Sequence, residues 1–262
     1  MKPPQITTEK GGKPAMYDKA ISTVFARTLA DMTDGVLPSL AQSEAVTLQV
    51  VNLWYPKPLL NAPHHGFGYL IPQTVPFENN PESVLGVLFD SDRDLFGGEP
   101  RPDAVPGTSL TVMMGGHLWD GLPASFRPDA ESAIELAKSA VARQLGIPAT
   151  EPVYAGTKAC QMCIPQHRVG HFARMARAHR ELQSAFRGRL MVAGTSYAPP
   201  GVLTSLRSAR DAADQVLGTW RSDDESPWVA SIGDTGLQRF LPGRRRWVPV
   251  KRSDLPLRNG NF

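Results

Sequence analysis

Six prolines between residues 56 and 83 (Pro56, Pro58, Pro63, Pro72, Pro76 and Pro81) exclude a long helix from that stretch. Each removes a backbone donor, and its ring clashes with the preceding helical turn. The whole chain is punctuated in this way, with 24 Pro and 23 Gly in 262 residues, which predicts extensive irregular connections. The runs around the prolines are β-branched and aromatic. Residues 47–55 (TLQVVNLWY) read as a strand with one partly wet face, and 66–71 (GFGYLI) as a short strand entered through glycines. Residues 84–90 and 109–115 are two further strand candidates. Strand, loop and strand in succession predict an antiparallel or mixed sheet.

Helical spacing begins later. Asp129 is placed to cap a helix in which Ile134, Ala137, Val141 and Leu145 recur on one face, with Gly146 ending it and Pro148 blocking its continuation. A second helical stretch, rich in Arg and Ala, covers 169–187. Residues 190–193 (LMVA) read as a short buried strand, and Gly194 opens a turn. In the next helix Val202, Leu206, Ala209, Ala213 and Val216 form a seam expected to face a core, closed by Gly218. The fold class expected from this order is mixed α+β or α/β. The chain divides into a polar, flexible leader (1–18), a sheet-containing domain (19–188), a strand–turn–helix (189–218) and a basic tail (219–262).

Composition removes several function classes. Lys and Arg number 28 against 25 Asp and Glu, a formal charge of +3, too small an excess to argue for nucleic-acid binding. No run approaches the ~18 apolar residues of a membrane span. The leader carries no apolar core and no arginine, so it fits neither a signal nor a transit peptide. The expectation is an intracellular chain, soluble or peripheral. Seven basic residues against one acid between 239 and 262, with an arginine triplet at 244–246, offer phosphates or an acidic membrane a contact; a solvated tail is the simpler reading.

Two clusters offer chemistry. Cys160 and Cys163, followed by His167 and His171, supply four zinc-ligand types. The three-residue gap from Cys163 to His167 is far shorter than a ββα finger requires, and Pro165 lies inside it. A thioredoxin-like redox pair would need the motif to open a helix after a strand, so two ordinary thiols are the simpler reading. His64 and His65 stand in the proline-rich loop as a base or ligand pair, or as solvated side chains. Neither a nucleophile elbow nor a Walker loop is present, and Gly66 and Gly68 do not make a dinucleotide fingerprint.

Taken in order, six segments resemble the C-terminal half of the oxygen-dependent protoporphyrinogen oxidase family, mitochondrial type. They are 50–53 (VVNL), 66–72 (GFGYLIP), 84–91 (VLGVLFDS), 111–116 (TVMMGG), 163–166 (CIPQ) with Gly170-His171, and 193–197 (AGTSY). The match runs from about residue 21 to 218. The resemblance implies a partial flavin amine-oxidase-like fold. Residues 19–188 would be part of the substrate domain, and 189–218 the last strand and helix of the FAD domain. It also implies FAD as cofactor, protoporphyrinogen IX and oxygen as partners, a homodimer or a missing N-terminal half, and the inner mitochondrial membrane as location. Phe67, Leu70, Leu88 and Met113 match residues lining the tetrapyrrole slot. Thr195, Pro200, Gly201 and Val202 match flavin contacts. Cys163 falls in the family segment, which leaves Cys160 an incidental neighbour. No catalytic acid, base or metal is implied. The sequence departs from the family after Tyr197, where Ala198-Pro199-Pro200-Gly201-Val202 replaces a Gly-Val-Gly-Val type turn and two prolines remove two N–H donors. The family's glycine-rich pyrophosphate loop, ribose-binding acid, membrane-docking helices and propionate-gripping arginine have no counterpart in this sequence, so an inactive fragment is expected. The alternatives are a tetrapyrrole- or partner-binding remnant, or a small zinc module at Cys160–His171.

Overall fold

The computed structural model describes residues 5–6, 13–95, 105–218, 229–231 and 233–240. They divide into two compact units, residues 44–166 and the combined stretches 1–43 and 167–262. The unit boundaries fall at 43/44 and 166/167.

The unit 44–166 is built on a five-stranded sheet. In chain order its strands are β4 (Glu44–Tyr55), β5 (Gly68–Leu70), β6 (Val84–Phe89), β7 (Thr108–Gly115) and β8 (Tyr154–Gln166), lying side by side as β5-β6-β7-β4-β8, all antiparallel. The four strands expected from the β-branched runs are present. β8 was not anticipated, because it is exposed along most of its 13 residues and shows no alternation of burial. The helix α3 (Ala130–Leu145) covers one sheet face. Asp129 caps it, accepting from Ser132 N–H at 2.8 Å, and Gly146 ends it in the left-handed conformation. Ala133, Ala137, Ala140 and Val141 pack on Val51, Leu53, Tyr55, Val87, Phe89, Leu110, Val112 and Met114. Small residues on the helix and large ones on the strands let helix and sheet approach closely.

The other unit contains α1 (Ala26–Met32), α2 (Pro38–Ala41), α4 (His171–Phe186) and α5 (Val202–Leu217). The strands β3 (Ala20–Ser22) and β9 (Leu190–Val192) pair in parallel, which draws residues 20–43 into the same unit as the C-terminal strand–turn–helix. Leu29, Leu37, Leu40, Met175, Leu182 and Val192 form its core. Two short antiparallel pairs complete the described chain, β1 (Gln5–Ile6) with β2 (Ala15–Met16) and β10 (Val229–Ser231) with β11 (Gln238–Phe240).

Two expectations need correction. The apolar seam of α5 does not face a core: Ser208 and Ala212 are its buried residues, whereas Val202, Leu206 and Val216 are exposed. The tail is not free of the fold throughout, since Leu237 is fully buried in the core of its unit and Thr235 Oγ1 lies 2.8 Å from His179 Nδ1. Residues 1–4, 7–12, 219–228 and 241–262, including the arginine triplet, lie outside the described residues.

Candidate functional site

Sheet register decides which side chains of the 44–166 unit share a face. Leu70 pairs with Gly86, Gly86 with Met113, Met113 with Val50 and Val50 with Lys158. The next row runs from Gly68 through Leu88, Thr111 and Asn52 to Gly156. Paired residues point to the same side, and their neighbours Val51, Leu53, Val87 and Val112 are the ones packed on α3. Leu70, Leu88 and Met113 therefore stand together on the face opposite the helix. Leu70 is 74% exposed and the other two are half-buried.

Phe67 precedes β5 and is 73% exposed; its carbonyl accepts from Phe89 N–H at 3.0 Å. The floor between Leu70 and Met113 is flat because residue 86 is glycine. A Cβ there would stand 2.4 Å from Tyr69 O and 2.8 Å from Leu70 Cδ2. Polar groups on this face were missed in the sequence: Thr111 Oγ1 lies 2.8 Å from Asn52 Oδ1 and 2.5 Å from Asp90 Oδ2. Alternation within 109–115 would have placed Thr111 beside Met113. Lys158 could not be found that way, because β8 carries no periodic signal.

The second set of predicted residues lies in the other unit, on the turn from β9 into α5. Thr195 and the following residues are tied down from several directions. His167 Nε2 is 3.0 Å from Thr195 O, Ser196 Oγ accepts from Ala26 N–H at 3.3 Å, and Tyr197 OH donates to Val24 O at 3.1 Å. Pro200, Gly201 and Val202 are exposed. Gly201, at φ +146°, begins α5 without any side-chain cap, so the first N–H groups of this helix take no side-chain acceptor.

His167 and His171 lie against each other. Their rings stack at 3.8 Å, nearly parallel, and burial pushes the His171 imidazole down to about 4, helped by His167 and Arg174. His167 is likewise lowered, by burial first. Among the described residues no three His, Cys, Asp or Glu side chains gather as a metal site. His65 has a local role: its Nδ1 is 3.2 Å from Asp92 Oδ2, a buried oxygen that also accepts from Gly66 N–H and Asn61 Nδ2. No described helix is long and apolar enough to cross a membrane.

No protein-family model matches the chain. It is 33% identical to human protoporphyrinogen oxidase over 208 residues, 77% of this chain and 41% of that protein. It is 30% identical to protoporphyrinogen oxidase of Schizosaccharomyces pombe over 174 residues, 66% of this chain and 33% of that protein. Among solved structures, a protein from Exiguobacterium sp. 255-15 bearing the name protoporphyrinogen oxidase aligns with a TM-score of 0.61 at 17% identity, covering 79% of this chain and 42% of that one. A reduced UDP-galactopyranose mutase aligns with a TM-score of 0.57 at 15% identity, covering 80% and 44%. Both share the flavin amine-oxidase-like fold. With sequence and fold in agreement, the chain is a protoporphyrinogen oxidase-like protein, spanning 33–41% of the length of those two curated relatives.

Proposed function

We propose that this chain supplies the substrate wall of an FAD-dependent oxidoreductase acting on protoporphyrinogen IX in haem synthesis. The observation that carries the reading is the register placing Leu70, Leu88 and Met113 on one face of the sheet, away from α3. A large, mostly apolar ring needs such a surface, and the protein's part is to bind it, orient it and keep water away. Leu70, Leu88 and Met113 remove apolar area from water, Phe67 at the strand edge offers a ring to stack, and Met113 adapts its shape.

The residues at the start of α5 fit a flavin edge. The uncapped N–H groups and the positive end of the helix favour an electron-rich carbonyl or nitrogen, and Gly201 allows close approach. Thr195, Pro200, Gly201 and Val202 are the residues we assign to that contact. When bound, FAD supplies the hydride acceptor, and oxygen restores it. Because the chain spans less than half of its curated relatives, grip on the cofactor's dinucleotide end belongs to a segment outside the matched stretch. A homodimer or a complementary N-terminal half, inactivity of this stretch alone, and placement at the inner mitochondrial membrane rest on the same resemblance.

Titration with protoporphyrin IX, the stable product, tests the reading. The purified chain should shift the porphyrin absorption band saturably, and Met113→Lys or Leu88→Asp should weaken binding at least about tenfold with little loss of stability, since both side chains are only half-buried. Absence of a saturable shift in the unaltered chain sinks the proposal.

A further inference from the structure

The substrate reading leaves both cysteines of the chain without a part. In a straight strand, residues three apart stand roughly 10 Å apart and point to opposite faces. β8 is not straight at this point. Ile164 pairs with Val46 and Cys160 with Leu48, so three residues, 161–163, stand against Thr47 alone. Met162, in the middle, adopts the left-handed conformation at φ +46°, and its N–H donates to Thr47 Oγ1 at 3.1 Å, pinning the bulge. Cys160 and Ile164 thus flank the bulge opposite residues only two apart on β4, which draws Cys163 back toward Cys160. Both are free: Cys160 is half-buried and Cys163 exposed. Their sulfurs make long contacts to carbonyls, Cys163 Sγ to Val46 O at 3.8 Å and Cys160 Sγ to Lys158 O at 4.0 Å. Lys158, exposed and two residues before Cys160, puts a cation on the same face of the strand. Partial burial, with Cys160 beside it, pushes the Cys163 thiol up.

We propose that Cys160 and Cys163 form a reversible redox site in which hydrogen peroxide closes an intrastrand disulfide across the β8 bulge and a dithiol reopens it. Cys160 loses its proton and attacks one peroxide oxygen. The O–O bond breaks, leaving a sulfenic acid and a hydroxide that takes up the released proton as water. Cys163 sulfur then attacks the Cys160 sulfur, the S–O bond breaks, and the departing hydroxide takes the Cys163 proton. Two thiols have given up two protons and two electrons, and one peroxide has become two waters. Closure fixes the bulge and with it the approach of the chain to Pro165 and Gln166. Bulges serve as points where a strand is re-aimed, so the disulfide would set the direction of the end of β8. The site stands on the bulge and the paired thiols and is independent of the porphyrin reading.

The test is mass spectrometry of the reduced full chain after one equivalent of hydrogen peroxide, with the remaining thiols alkylated. Both thiols should disappear together and the mass should fall by ~2 Da, with dithiothreitol restoring the original mass. Peptide mapping should place the loss within one peptide containing Cys160 and Cys163, a readout that needs no variant. Cys160→Ser and Cys163→Ser should each fail to lose ~2 Da and should instead gain ~16 Da steps on the remaining sulfur. Unchanged thiol titre, oxygen adducts on the unaltered chain without the mass loss, or disulfides only between molecules would each overturn the proposal.

Discussion

The stacked pair His167 and His171 puts two imidazoles 3.8 Å apart beside Arg174. Three cations in that space would repel one another, and burial, the larger cause in each case, lowers both imidazoles. The consequence for stability has a definite sign. His171 titrates at about 4 in the folded chain and near 6.5 when unfolded. Between those values the unfolded state binds more protons, so stability is full above about pH 6.5 and is lost as pH falls toward 4. Partial solvent screening reduces the full linkage effect to about 1–2 kcal/mol. Urea midpoints measured from pH 7 to pH 4.5 should fall accordingly, and His171→Gln should flatten that dependence; an unchanged slope in the variant would remove His171 as its source. In the sequence these histidines looked like half of a zinc set. Ligand spacing was legible there, but the taking up of His167 by Thr195 O was not, because that contact spans 28 residues.

At the scale of elements, alternation and punctuation were legible wherever one face meets a core. The four strands from β4 to β7 and the capped helix α3 follow directly from apolar periodicity and from Asp129 and Gly146. β8 was invisible because exposure along it leaves no pattern to read. In α5 the pattern existed and misled: a stripe of Val and Leu marked an apolar face, yet the helix buries Ser208 and Ala212, roughly a third of a turn away. Three of the four predicted tetrapyrrole contacts share a face that only register could reveal. Gly86, lying between Leu70 and Met113, shows how closely that face depends on its backbone. Gly86→Ala would drive a Cβ into Tyr69 O and Leu70 Cδ2. Backbone cannot yield as a flexible side chain can, so β5 should detach from β6 at a cost of about 1–3 kcal/mol. Hydrogen exchange at Ile71, whose N–H donates to Leu85 O, should accelerate in this variant. Retained protection there would show that the edge pairing absorbs the methyl group.

For the molecule as a whole, one large apolar cluster in each unit accounts for most of the largest buried side chains, while a further body of apolar surface stays exposed. On α5, Leu206 is 63% and Leu217 72% exposed. They lie three turns apart on one side of the helix, with Val202 beside that line. Parallel strand pairs usually belong to larger sheets covered on both faces, and among the described residues the β3–β9 sheet has two strands. An apolar stripe on a 16-residue helix is long enough to drive association of the isolated chain through the hydrophobic effect. Sedimentation velocity should therefore show concentration-dependent self-association at micromolar protein, and the double variant Leu206→Glu/Leu217→Glu should shift it toward monomer. Because both side chains are mostly in water already, the substitutions should change stability by no more than about 0.5 kcal/mol. Association that persists undiminished in the double variant would place the sticky surface elsewhere, with the open sheet face around Leu70 as the next surface to alter. A large loss of stability would instead mean that the stripe is already covered within the chain, and that α5 packs as its seam first suggested.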